Sequence, residues 1–122
     1  MKTHYLSFGE IIVLEPNIAE VIIYQGVLMD LQMVEEYHAT LLEHLEAPFF
    51  LLINKKFAYT YTFEAQNEIA NLREIKGMAV VVEGYVGKKS TEFLIAINES
   101  KSWNIQTFSN KTEALNWIKI HN

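Results

Sequence analysis

Hydrophobic and polar positions change their spacing several times along the chain, and each change predicts a different element. Residues 4–14 are rich in aromatic and β-branched side chains and are interrupted by Gly9, which predicts a strand with a bulge or bend. The turn-forming segment Glu15-Pro16-Asn17 separates this strand from a second one over 18–24. Because a tight turn joins them, the two strands are predicted to pair antiparallel.

After Gly26 the apolar residues recur at helical spacing, which predicts an amphipathic helix that Asp30 caps and Pro48 ends. Its predicted apolar stripe consists of Leu31, Val34, His38, Leu41, Leu42 and Leu45. Glu35 and His38 match half of a di-iron motif, which needs a second copy and further glutamates. We therefore interpret His38 as a buried histidine with satisfied hydrogen bonds and not as a metal ligand.

Two runs, 49–53 and 78–82, are apolar on both faces, which is typical of central parallel strands covered by helices. Between them, residues 63–75 show helical spacing and predict the crossover helix of a right-handed βαβ unit. Residues 85–98 are ambiguous: a helix is favoured, and a strand over 93–97 is the alternative.

The last part of the chain predicts one more strand and one more helix. Residues 102–108 alternate in the manner of a half-buried edge strand. Ser109 or Asn110 is predicted to cap the helix that follows, and Asn110 with Glu113 resembles a capping box. The apolar face of the final helix is predicted to be Ala114, Leu115, Trp117 and Ile118. The order ββαβαβαβα predicts a single α/β domain over 1–122, a mixed β-sheet of about five strands with helices packed on it.

Composition narrows the function classes. The 122 residues include 10 Lys and Arg against 15 Asp and Glu, a net charge of −5 that argues against nucleic acid as a partner. The absence of cysteine excludes thiol chemistry and Cys-ligated zinc. There is no signal-peptide pattern and no apolar run long enough to span a membrane, so we expect a cytoplasmic protein. No catalytic motif is present, and we predict no enzyme activity, no cofactor and no metal site.

Any binding site is expected in the loops at the carboxyl ends of the parallel strands. The first of these is 54–62, the second is 83–89, where glycines and lysines could hold an anion, and the third is the turn after Phe108. The first loop combines positive charge with aromatic rings, and we predict it as a possible interaction loop. Its candidate residues are Asn54, Lys55, Lys56, Tyr59, Thr60, Tyr61 and Thr62.

Three stretches carry a family resemblance: Leu51-Leu52-Ile53-Asn54 with Glu64-Ala65-Gln66, the strand Lys76–Val81, and the ending Phe108–Ile118. In them the chain resembles the SpoIIAA-like fold of STAS domains, and more closely the small single-domain bacterial proteins grouped as STAS/SEC14-like. In anti-sigma-factor antagonists of this family, a serine in an Asp-Ser-Ser-Gly-like loop is phosphorylated. The matching segment 54–62 has no Asp, Ser or Gly, and only Thr60 and Thr62 carry aliphatic hydroxyls. Thr62 is better interpreted as a helix cap.

The resemblance implies a non-enzymatic regulatory or protein-interaction module of STAS type, with another protein as the expected partner. A homodimer is also plausible through an exposed sheet edge or an apolar helix face. The alternative is a carrier of a lipid or another small apolar ligand, as in SEC14-like proteins. A carrier would require a pocket lined by Phe57, Phe63 or Phe93.

Overall fold

The main sheet of the computed structural model has six strands within the residues that the structure describes, which are 1–82, 89, 91–92, 95–96 and 103–122. In chain order the elements are β1 (Lys2–Leu6), β2 (Gly9–Glu15), β3 (Ile18–Ile23), β4 (Leu28–Met29), α1 (Leu31–His44), β5 (Phe49–Asn54), β6 (Thr60–Tyr61), α2 (Phe63–Glu68), β7 (Ile75–Val81), β8 (Ile105–Phe108) and α3 (Lys111–His121). The sheet order is β1-β2-β3-β5-β7-β8. The strands β1, β2 and β3 pair antiparallel, and β3, β5, β7 and β8 pair parallel. The predicted mixed α/β sheet is confirmed, with more strands than the five expected.

The extra strand comes from the region 4–14, which was predicted as one strand and is in fact a hairpin of β1 and β2. The chain reverses at Ser7 and Phe8, and the Phe8 side chain is buried beneath the turn. Gly9 is the first residue after this turn, and a Cβ there would clash with the backbone oxygen of Ile22 in β3. The backbones of β2 and β3 therefore approach more closely than a side chain would allow.

A second, two-stranded sheet was not predicted. It pairs β4 with β6 in parallel, Leu28 opposite Thr60 and Met29 opposite Tyr61. Two residues per strand are too few to produce a periodicity that a sequence pattern can reveal. This small sheet matters for the site because it brings the chain after β5 beside the chain before α1.

The helix expected over 63–75 is much shorter, since α2 ends at Glu68 and Ile75 already belongs to β7. The chain leaves the helix through turns in which the Asn71 amide donates to Glu68 and the Leu72 amide donates to Ala70. The Asn71 side chain also donates to the Glu68 carboxylate, at 2.9 Å. Local side-chain bonding of this kind by asparagine competes with helix continuation.

The buried face of α1 differs from the predicted stripe. Val34, Tyr37 and Leu41 are its buried residues, whereas Leu31 and Leu42 are exposed. These buried residues are three and four positions apart, so the buried face is centred on Tyr37. The predicted stripe did not include Tyr37. The Asp30 cap is confirmed, because its carboxylate accepts a hydrogen bond from the Met33 amide at 2.9 Å.

The two faces of the sheet bury different helices. One face packs against α1 and α2, and the other packs against α3 through Ala114 and Ile118. Asn110 caps α3 as predicted, with its side chain accepting from the Glu113 amide at 2.9 Å. The region 85–98 lies mostly outside the described residues. Those that are described, Lys89, Thr91, Glu92, Ile95 and Ala96, are helical.

Candidate functional site

The predicted interaction loop, 54–62, follows β5 at the carboxyl ends of the parallel strands. Three backbone hydrogen bonds hold it against the segment before α1. They run from the Gly26 amide to the Ala58 carbonyl, from the Thr60 amide to the Val27 carbonyl, and from the Thr62 amide to the Met29 carbonyl, at 2.8, 3.0 and 2.8 Å. Backbone hydrogen bonds to a neighbouring segment therefore fix the course of the loop.

The start of the loop is tied to a buried carboxylate. Glu20 lies in the middle of β3 and is 4% exposed. One of its oxygens accepts a hydrogen bond from the Asn54 side chain at 2.9 Å, and the other lies 3.0 Å from the Lys111 ammonium. A buried charge needs such partners, because leaving it unpaired in an apolar interior is costly. This network joins three elements: β3, the end of β5 and the first turn of α3.

Lys55, Tyr59 and Tyr61 turn inward from the loop and form a partly buried group. The Lys55 ammonium lies 5.2 Å from the Tyr59 ring centroid and 5.6 Å from that of Tyr61. The two tyrosine hydroxyls are 3.2 Å apart, within hydrogen-bond distance. Burial lowers the pKa of Lys55 to about 8 and raises the pKa of Tyr61 to about 12. Both tyrosines therefore stay neutral, and neither supplies a negative charge for the lysine.

The outer side of the loop presents an exposed apolar and cationic surface. Leu28, Leu31 and Phe63 are 54%, 40% and 76% exposed. The parallel register of β4 and β6 makes α1 and α2 begin side by side, with Leu31 and Phe63 as their first residues. Lys56 and Thr60 are exposed on the same segment. We call these five residues the loop surface.

The two threonines of the loop have different environments. The Thr62 hydroxyl accepts a hydrogen bond from the Ala65 amide at 3.2 Å and caps α2, as predicted. The Thr60 side chain is exposed and lies opposite Leu28 in the small sheet. Thr60 is thus the loop hydroxyl that is free of a capping role.

The remaining candidates from the sequence are His38, a metal site and the second predicted loop. His38 is partly buried, and its Nε2 lies 2.9 Å from the Ile69 carbonyl oxygen, which fits the interpretation of a satisfied histidine. Among the described residues no group of three or more His, Asp or Glu side chains could hold a metal ion. Residues 83–88 of the second predicted loop lie outside the described residues. Lys89 lies 3.4 Å from Glu92 in an ion pair.

Two small spaces adjoin the loop tyrosines on the inner side. Each has a volume of about 20 Å³, which is room for roughly one water molecule. Neither is lined by Phe57 or Phe63, and Phe93 lies outside the described residues. A wider groove of about 330 Å³ lies at the opposite end of the sheet, beside Arg73 and Trp103. The carrier alternative gains no support from the two spaces at the loop.

Sequence reasoning missed Glu20 and Lys111, although a signal was present. A glutamate in the middle of the apolar run Ile18-Ala19-Glu20-Val21-Ile22 has no polar face of its own to occupy. In a strand that is buried along its whole length, such a residue needs a partner from elsewhere in the fold. The identity of that partner depends on tertiary packing, since Lys111 is 91 residues further along the chain.

Comparison with known proteins establishes the class of fold. No protein-family model matches the chain, and no curated protein matches it either. Among solved structures, it is similar to the Bacillus cell fate determinant SpoIIAA in its phosphorylated form, with a TM-score of 0.51 and 10% sequence identity. The likeness covers 90% of this chain and 98% of that one. The chain thus has a SpoIIAA-like fold, as the sequence resemblance implied. No helix in the described part of the chain is long and apolar enough to cross a membrane.

Proposed function

We propose that this chain is a non-enzymatic regulatory module of STAS type, a single cytoplasmic domain that acts by binding another protein. The observation that carries the proposal is the loop surface, with Leu28, Leu31, Phe63, Lys56 and Thr60 all exposed on the paired segments that lead into α1 and α2. The SpoIIAA-like fold supports it because the neighbouring structure is a cell fate determinant. Fold alone does not define function, and the loop surface is the feature that distinguishes a binding role.

The exposed side chains are costly to leave in water. Phe63 is the first residue of α2 and is 76% exposed. A large apolar side chain exposed there, with Leu28 and Leu31 exposed on the paired segment that leads into α1, is typical of a protein-binding surface. Lys56 adds a positive charge, while the exposed Glu64 follows Phe63 directly and Asp30 precedes Leu31. The partner is therefore expected to present an apolar side chain, with polar groups of both signs around it.

Regulation of this surface would act through Thr60. Its hydroxyl is exposed, whereas the Thr62 hydroxyl is used in capping α2. A phosphate on Thr60 would place about two negative charges opposite Leu28 on the loop surface. A charge of that size disfavours the burial of the neighbouring apolar side chain against a partner, so phosphorylation is expected to release the partner.

The test is affinity capture from the native cell lysate with three baits. The wild-type chain, Phe63→Ser and the matched control Ile120→Ser are used in parallel, because Ile120 is also highly exposed, at 80%, and lies on α3. The proposal predicts one specific protein that the wild type and Ile120→Ser retain and that Phe63→Ser loses. Retention of the same proteins by all three baits, or of none, would contradict it.

A further inference from the structure

Lys55 occupies an unusual position for a lysine. It is the first residue after β5, and its amide donates to the Val81 carbonyl at 3.0 Å, so its backbone is fixed. Its side chain points back over the rings of Tyr59 and Tyr61, whereas the neighbouring Lys56 is exposed. Two adjacent lysines of one loop thus have opposite environments.

The Lys55 ammonium has no carboxylate partner among the described residues. Lys111 shows the usual arrangement, since it pairs with Glu20 at 3.0 Å. Tyr59 and Tyr61 pack beside the Lys55 ammonium through their rings, with their hydroxyls within hydrogen-bond distance of each other, and the buried Thr91 lines the same small space as Lys55. Ring faces attract a cation, but they do not replace the hydrogen bonds that water gives to an ammonium.

The surroundings of the Lys55 side chain favour the neutral amine. It borders the small space that Tyr61, Ile69, Met78 and Trp103 also line. Burial lowers the pKa of Lys55 to about 8, so about a tenth of the amine is neutral at neutral pH. The residue as a whole keeps part of its surface exposed, and a reaction of the amine requires a small reagent to reach it from that side. A desolvated lysine of this kind is a nucleophile.

We propose that the side-chain amine of Lys55 is a selective acyl acceptor, modified by small activated acyl donors such as acyl phosphates. The neutral amine attacks the carbonyl carbon and forms a C–N bond. The bond from that carbon to the phosphate oxygen breaks, inorganic phosphate leaves, and the surplus amine proton passes to the phosphate or to water. The product is a neutral amide, which an apolar environment accepts more readily than an ammonium.

The experiment treats the intact protein with acetyl phosphate and follows acetylation of each lysine by mass spectrometry over time. Lys56 is the internal reference, and the same reaction in denaturing urea gives the rates without folded structure. At neutral pH we expect Lys55 to react at least about tenfold faster than Lys56 in the native protein and at the same rate in urea. The Lys55 rate should stop rising with pH above about 8.

Two variants make the result specific. Lys55→Arg should remove the fast-reacting site, and Lys56→Gln should leave the Lys55 rate within about twofold. A native Lys55 rate equal to or below that of Lys56 would overturn the inference. A Lys55 rate that falls with Lys56→Gln would also overturn it, because the attraction of an anionic donor by Lys56 would then explain the reactivity. None of these readouts depends on whether a protein partner exists.

Discussion

Removing the positive charge of Lys111 is expected to destabilise the fold more than removing the negative charge of Glu20, although both changes break one ion pair. The asymmetry follows from burial: the Glu20 side chain is 5% exposed, and that of Lys111 is 51% exposed. Lys111 without its partner can turn to water. Glu20 without its partner stays inside the sheet, where Asn54 is its one remaining side-chain hydrogen-bond donor among the residues that the structure describes.

The magnitudes follow from the geometry. At 3.0 Å, Coulomb's law with an effective dielectric constant of about 20 gives about 5–6 kcal/mol of attraction. Much of this offsets the desolvation of the carboxylate. For Lys111→Met we expect a loss of about 2–3 kcal/mol in the free energy of unfolding, because a buried charge is left half satisfied. For Glu20→Gln we expect about 1 kcal/mol, because the amide keeps the shape and can still accept from Asn54.

The assay is urea unfolding followed by tryptophan fluorescence, since Trp117 of α3 packs edge-on against Phe50 at 6.0 Å. The double variant should be about as stable as Glu20→Gln alone, because the Lys111 charge matters only while Glu20 is charged. Lys119→Met is the matched control, an exposed lysine of the same helix, and should cost a few tenths of a kcal/mol. A cost for Lys111→Met no greater than that for Glu20→Gln would refute the reasoning.

Three further predictions use the same unfolding assay. Tyr37 is 2% exposed, and its hydroxyl makes no hydrogen bond among the described residues. Tyr37→Phe should therefore leave the free energy of unfolding unchanged or raise it, whereas Tyr37→Ala should lower it by about 3–5 kcal/mol. A large loss for Tyr37→Phe would contradict this prediction. Gly9→Ala should lower the free energy of unfolding by about 1–3 kcal/mol, because its Cβ would clash with the Ile22 backbone oxygen. An unchanged urea midpoint of unfolding would contradict this prediction. The rings of His4 and His44 stack with their centroids 3.6 Å apart, and burial together with the nearby His44 lowers the pKa of His4. The free energy of unfolding should therefore fall as the pH drops below about 6.5, and His44→Gln should weaken that pH dependence. Identical pH profiles for the wild type and His44→Gln would contradict this prediction.

The sequence predicts those parts of the fold whose signals are local. The apolar run of β5 and the cap residues Asp30, Thr62 and Asn110 each leave a short, specific pattern, and the structure confirms each of them. The hairpin at Ser7 and Phe8 was missed because its strands share the composition of one longer strand. Gly9 was read as a bulge or bend inside that strand, whereas it follows the turn and pairs with Leu6 across the hairpin.

The candidate site also has some features with local sequence signals and others that depend on tertiary packing. The loop 54–62 could be predicted because it follows a strand that is apolar on both faces. The inward direction of Lys55 and the outward direction of Lys56 could not, since adjacent lysines are equivalent in a sequence pattern. The pairing of Glu20 with Lys111 depends on α3 packing across the sheet, a contact between residues far apart in the chain.

Site-specific photocrosslinking in the protein's own cells tests most directly whether the loop surface is where a partner binds. A photoreactive residue is placed at Thr60, and in a second chain at Lys119, which is also exposed but lies on α3 at the other face of the sheet. If the partner binds the loop surface, one discrete crosslinked protein forms from position 60 and is absent from position 119. Crosslinks of equal yield and the same pattern from both positions, or none from position 60, would contradict it.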